Sequence, residues 1–103
     1  MIIITGTVST AFAASPDDIV ALCIEHSARS RAEPGCISHN VHVDCEDTTR
    51  LFFHEIWQDE AAVSAHFAVP ESQDFVKRLT TLIGERPEMQ MYRTQNLSPN
   101  DLD

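Results

Sequence analysis

The chain opens on an uncharged run, Ile2 to Phe12, rich in Ile, Val and Thr, which predicts a strand covered on both faces in the middle of a sheet. Ser15-Pro16-Asp17-Asp18 follows with a hydroxyl cap, a proline suited to the first helical position and acids where the helix dipole is positive. Ile19, Leu22, Cys23 and His26 then recur at helical spacing and predict a buried stripe, with His26 where an aliphatic residue is expected. This helix runs into Arg31 and should stop at Glu33, because Pro34 disfavours the α conformation before it and Gly35 offers a left-handed turn.

Beyond the turn, Cys36 to Cys45 and Arg50 to Trp57 read as β runs joined by the polar Glu46-Asp-Thr-Thr49, a hairpin connection. Parity places Ile37, His39, Val41 and Val43 on one face of the first run, opposite Cys36, Ser38, Asn40 and His42. In the second run Phe52, His54 and Ile56 oppose Leu51, Phe53, Glu55 and Trp57, so both faces carry large apolar groups. One layer of helices covers one face only, and the other calls for a second sheet, most simply a partner subunit's.

Asp59 is placed to cap a short helix with Ala62, Val63, His66 and Phe67 on one side, broken at Val69-Pro70. Ser72 is expected to restart it, with Phe75, Val76, Leu79, Leu82 and Ile83 as the apolar stripe and Gly84 as the stop. After Pro87, alternation through Met89 and Met91 predicts a last strand with both methionines in the core. The order β-α-β-β-α-β, with the second helix broken, defines an α+β fold of the ferredoxin-like, split βαβ kind with a four-stranded antiparallel sheet. Residues 1–94 form the domain and 95–103 a polar tail.

A formal charge of -9 without a run of Lys or Arg excludes the basic face that a nucleic-acid or anionic-membrane partner needs. No stretch approaches the roughly 20 apolar residues of a membrane span. Cys23, Cys36 and Cys45 lack the spacing of a zinc site and are odd in number, which fits free, buried thiols in a reducing cytoplasm. Ala11-Phe-Ala13 looks like a signal-peptidase site, but no Lys or Arg precedes it and Thr5-Gly-Thr7 interrupts the apolar run.

Several motifs in order resemble the antibiotic biosynthesis monooxygenase (ABM) family: Arg31-Ala-Glu-Pro-Gly-Cys36 before a strand, Glu55-Ile-Trp57-Gln-Asp59 at the end of the next, then Ala61-Ala-Val-Ser-Ala-His66-Phe-Ala-Val-Pro70 and Phe75. The similarity runs from Ile2 to about Tyr92. It implies a homodimeric α/β barrel and monooxygenation of phenolic, anthrone-like or quinol substrates by dioxygen without metal, haem or flavin. The resemblance places Gly6, His66 and Leu79 where the haem-degrading relatives carry an Asn, a Trp and a His, so that triad is missing and haem degradation is disfavoured. Relatives that isomerise a phosphorylated autoinducer sugar share the Glu-Pro-Gly turn and His-x-x-x-Pro, which keeps an isomerase as an alternative beside a non-catalytic ligand-binding module. Where aromatic-polyketide oxygenases carry an Asn four residues before the third strand's Trp, this chain has Phe53.

Cofactor-free oxygenation requires a base to form an electron-rich anion in a dry pocket, and a near-neutral imidazole suits that role. His66, on the apolar side of its helix, is the first candidate, and His26 could relay a proton. Trp57 offers a flat wall and an indole N–H for a substrate oxygen. His39 and His54 are expected on one hairpin face, where two imidazoles without a third ligand make no metal site. Phe53, Glu55, Arg86 and Tyr92 complete the candidate substrate contacts, with Glu55 expected to orient a histidine or pair with an arginine.

Overall fold

The computed structural model describes residues 1–102. Its elements are β1 (Ile2–Ser9), α1 (Pro16–Ser30), β2 (Cys36–Val43), β3 (Arg50–Trp57), α2 (Glu60–Ala68), α3 (Pro70–Ile83), β4 (Glu88–Arg93) and a 3-10 turn at Pro99–Leu102. The strands form one antiparallel sheet in the order β2-β3-β1-β4, so the uncharged β1 is central, as its composition requires. The helices pack on one face, giving the ferredoxin-like α+β architecture. Among the described residues no helix is long and apolar enough to cross a membrane. The tail ends in the exposed turn at Pro99–Leu102, and Asp103 lies outside the described residues.

Pro16 stands in the first turn of α1, although Ser15 makes no side-chain cap bond. Ile19, Leu22, Cys23 and His26 are all buried, and the helix ends at Ser30, a little before Glu33. Gly35 takes φ +82 and Gly84 φ +78, the left-handed conformations that let the chain leave α1 and α3. Asp59 caps α2 by accepting from Ala62 N at 2.9 Å.

Two apolar groups fill the space between sheet and helices. Val8, Ile19, Leu22, Cys23, Leu51, Phe53, Phe75 and Leu79 pack at one end; Ile2, Ile4, Trp57 and Val63 pack at the other.

Several expectations are corrected. α3 begins at Pro70, not Ser72, because a proline at the first position needs no N–H partner and continues directly from α2. The faces of β2 are reassigned by a bulge between Cys36 and Ser38, which pairs Cys36 with Trp57 and His39 with Glu55. Both side chains therefore face the helices, while Ile37 is 55% exposed. His54 pairs with Asn40 and Thr5 on the opposite face, so His39 and His54 do not share one. Met89 and Met91 are 53% and 52% exposed because β4 is an edge strand beyond the helical cover. Cys45 is exposed past the end of β2 and Cys36 half-buried; only Cys23 is a buried packing group.

Candidate functional site

A cluster of buried titratable groups interrupts the apolar layer. His26 from α1, His39 from β2 and His66 from α2 are 6%, 0% and 4% exposed, and one ring nitrogen of each lies within 4.8 Å of the others. Glu55 of β3 is buried beside them. Each imidazole has its Nδ1 engaged. Arg29 Nη2 donates to His26 Nδ1 at 2.9 Å, Ser27 Oγ lies 2.9 Å from His39 Nδ1, and Glu33 Oε1 lies 2.9 Å from His66 Nδ1.

Donor chemistry fixes two of the three tautomers. A guanidinium only donates, so Nδ1 of His26 accepts and its proton sits on Nε2. A carboxylate only accepts, so His66 Nδ1–H donates to Glu33, and in the neutral ring the Nε2 lone pair is left free. Burial first, then the neighbouring His39, His66 and Arg29, pushes the His26 pKa down to about 3, so this ring stays neutral at ordinary pH. His26 also stacks flat on Phe75, with centroids 3.9 Å apart and planes 2° from parallel, which fixes its orientation.

Glu55 is tied to the opposite side of the cluster. Trp57 Nε1–H donates to Glu55 Oε1 at 3.0 Å, and His39 Nε2 lies 3.3 Å from the same oxygen without the alignment of a hydrogen bond. The indole is fully buried, its ring 4.6 Å from that of His66. Trp57 therefore supports the histidines, and its N–H is committed to Glu55 rather than held out to a ligand.

A cavity of about 430 Å³ opens onto this cluster between the helical face of the sheet and α2 and α3. The buried His26, His66, Glu55, Phe53 and Phe75 line it together with the more exposed Phe67. Lys77, Arg86 and Met89 lie toward β4 and the end of α3. Gly6 forms part of the floor, where a Cβ would lie 3.4 Å from the Glu88 carbonyl oxygen and 3.5 Å from the Cβ of Phe53.

Of the residues singled out from sequence, His26, His66, Phe53, Glu55 and Arg86 meet at this cavity, and His39 lies in the cluster behind it. His54 is on the far face of the sheet. Tyr92 pairs with Ile3 on that same far face, with its hydroxyl on Gln90. The arginines are dispersed: Arg29 holds His26, Arg31 donates to the His39 carbonyl, Arg78 lines a cleft between α1 and α3, and Arg93 pairs with Glu60. Sequence reasoning missed Glu33 and Ser27. The signal for Glu33 was its place just before Pro34-Gly35, a turn that must fold back on α2; Ser27 showed as a hydroxyl beside the apolar stripe of α1.

Fold and site together define a small ferredoxin-like α+β domain with a polar, histidine-rich centre beneath an aromatic cavity. The chain belongs to the antibiotic biosynthesis monooxygenase family, whose model matches residues 1–78. It is 36% identical over 78 residues to an uncharacterized protein of Synechocystis sp., covering 75% of this chain and 52% of that one. The chain thus spans about half the length of the curated relative it matches. Among solved structures, a candidate antibiotic biosynthesis monooxygenase of Deinococcus radiodurans superposes with TM-score 0.88 at 23% identity, covering 95% of this chain and 96% of that one. A second candidate, from Nitrosomonas europaea, gives TM-score 0.83 at 14% identity over 93% of this chain and 100% of that one. At such identities the likeness establishes the fold. Family membership points to small-molecule chemistry of the monooxygenase kind.

Proposed function

We propose that this chain is a monooxygenase that oxidises a small phenolic, anthrone-like or quinol substrate with dioxygen, using its own side chains rather than a bound cofactor. The observation that carries this reading is the opposed tautomers of His26 and His66 at one cavity: a free imidazole lone pair on His66 and an N–H on His26. The pair suits a substrate that loses a proton and leaves an oxyanion to be held.

His66 Nε2 removes the proton, and Glu33 stabilises the imidazolium that results. The substrate anion, its oxygen held by His26 Nε2–H, passes one electron to dioxygen. The substrate radical and superoxide then join in a C–O bond. Protonation of the peroxide and loss of water leave a carbonyl, so a CH₂ group and O₂ become C=O and H₂O. Phe53, Phe67 and Phe75 would hold the aromatic rings and keep water away from the anion. Arg86, at the rim, is positioned to meet a second oxygen of a quinone.

The protein would act as a homodimer. Ile3, Phe52 and Ile56 lie half-buried on the sheet face that no helix covers, and a second sheet packed there would close the barrel. A mass of one chain in solution at micromolar concentration would sink that part of the reading.

Oxygen uptake by purified, chelator-treated protein against a panel of hydroquinones, naphthoquinols and anthrones is the direct test, with each compound's autoxidation subtracted. Saturable uptake that falls by about 10² to 10⁴ in His66→Ala is expected for loss of a general base. Uptake unchanged in that variant would overturn the assignment of His66.

A further inference from the structure

The contact between His39 and Glu55 plays no part in that chemistry and is not accounted for by packing. His39 Nε2 is buried without a hydrogen-bond partner, 3.3 Å from a carboxylate oxygen that already accepts from Trp57. An imidazole nitrogen that close to a carboxylate, with no hydrogen aligned between them, is an arrangement that a cation between the two would complete.

We propose that His39, His66 and His26, together with Glu55, form a binding site for one divalent first-row transition ion of the Zn²⁺ type. Neutral imidazoles with a carboxylate oxygen are the donor set such ions prefer. The side chains come from α1, β2, α2 and β3, so the site exists only in the folded chain. The outer partners already resemble those of ligating histidines, whose second nitrogen is held by a carboxylate or another polar group. Glu33 does this for His66 and Ser27 for His39.

Zinc with Zn–N bonds of about 2.0–2.1 Å sets tetrahedral ligand nitrogens roughly 3.3 Å apart. The present spread, within 4.8 Å, has to contract to that as the ion binds. His26 joins last, because its Nε2 proton must move to Nδ1, where Arg29 now donates. Ser72 Oγ, 3.4 Å from the same Arg29 nitrogen, is the alternative acceptor that lets the guanidinium step aside. The cavity reaches His26, His66 and Glu55, so an ion can enter without unfolding.

The site goes beyond the oxygenase reading and competes with it: an ion on His66 Nε2 occupies the lone pair that would take the substrate's proton. Calorimetric titration of Zn²⁺ into the chelator-stripped, untagged full chain tests it, followed by the visible spectrum with Co²⁺. One ion per chain and the intense bands of tetrahedral Co²⁺ are expected. His39→Gln and His66→Gln should each weaken binding at least tenfold, while His42→Gln, at an exposed position of β2, should leave it unchanged. Circular dichroism establishes that each variant is folded; if His39→Gln is not, His66→Gln and the wild-type Co²⁺ spectrum decide. No saturable binding, a pale octahedral spectrum, or wild-type affinity in the folded Gln variants would overturn the proposal. Oxygen uptake by the stripped protein is read separately. Zinc binding without uptake leaves this site standing and removes the oxygenase reading, and uptake without zinc binding does the reverse.

Discussion

Gly35→Ala is the single methyl addition with the most informative consequence. Gly35 has φ +82, and a Cβ built there would sit 2.5 Å from the Cβ of Ala62 in the first turn of α2. The left-handed conformation costs an alanine about 1–2 kcal/mol. Forcing a methyl against a packed neighbour adds about 1–3 kcal/mol, so the variant should lose roughly 2–5 kcal/mol. The two contributions separate in a double-mutant cycle. Ala62→Gly removes the opposing methyl, and the remaining Cα of residue 62 is 3.8 Å away, an ordinary contact. Ala62→Gly alone should cost up to about 1 kcal/mol from helix propensity. Gly35→Ala in that background should then cost only the conformational 1–2 kcal/mol or so, making the double variant more stable than the sum of the singles by about 1–3 kcal/mol. Denaturant unfolding followed by circular dichroism, at one protein concentration throughout, measures all four corners. Additivity within about 0.5 kcal/mol would refute the steric argument. The stake is functional, because Gly35 O accepts from Gln58 N at 2.8 Å and so latches the turn that carries Glu33 to His66.

Further outcomes follow from the same geometry. Glu33→Gln keeps an oxygen for His66 Nδ1–H but removes the charge that stabilises its protonated form, so turnover in the oxygen-uptake assay should fall by less than in His66→Ala, roughly tenfold to a hundredfold. Leu79→Ala, at 1% exposure in the core, should cost about 2–5 kcal/mol by denaturant unfolding, whereas Leu82→Ala, 40% exposed one turn on, should cost under about 1 kcal/mol. Burial pushes the Cys23 thiol from its ordinary value of 9.0 up to about 12, so the folded chain holds a proton that the unfolded chain loses first. The associated stability is whole below pH 9 and declines as pH rises toward 12, by roughly 2 kcal/mol at about pH 10.5. Cys23→Ala should remove that part of the alkaline slope in unfolding curves taken under reducing conditions. In the native chain, iodoacetamide at mildly alkaline pH should label exposed Cys45 well before Cys23, as read by mass spectrometry.

The parts of this fold legible in the sequence are those set by local periodicity and local chain chemistry. Pro16, Asp59, Gly35 and Gly84 mark helix ends through their own backbone requirements, and Ile19, Leu22, Cys23 and His26 declare a helix face without reference to the rest of the chain. The site was legible only in its members. Parity along β2 assigned His39 to the face of Ile37 because an alternating pattern assumes an unbroken ladder, and the bulge between Cys36 and Ser38 is a property of pairing with β3. That one irregularity separates Ile37 from His39 and brings Cys36 onto the inward face, while His39 stays in step with Val41 and Val43, and His54 lies on the other side of the sheet by its own alternation with Glu55. The methionines of β4 failed for a related reason: alternation tells which face a side chain takes, but whether a helix covers that face depends on strand order, and β4 is at the edge. Glu33 was hidden by distance in the chain, since its partner His66 lies 33 residues on and only the closed Pro34-Gly35 turn brings them together. The residues that hold the histidines in their tautomers are thus the ones least visible one at a time. Arg29, Ser27 and Glu33 each look like ordinary surface polar residues until the fold sets an imidazole against them, and the chemistry available to the cavity depends on those partners as much as on the rings.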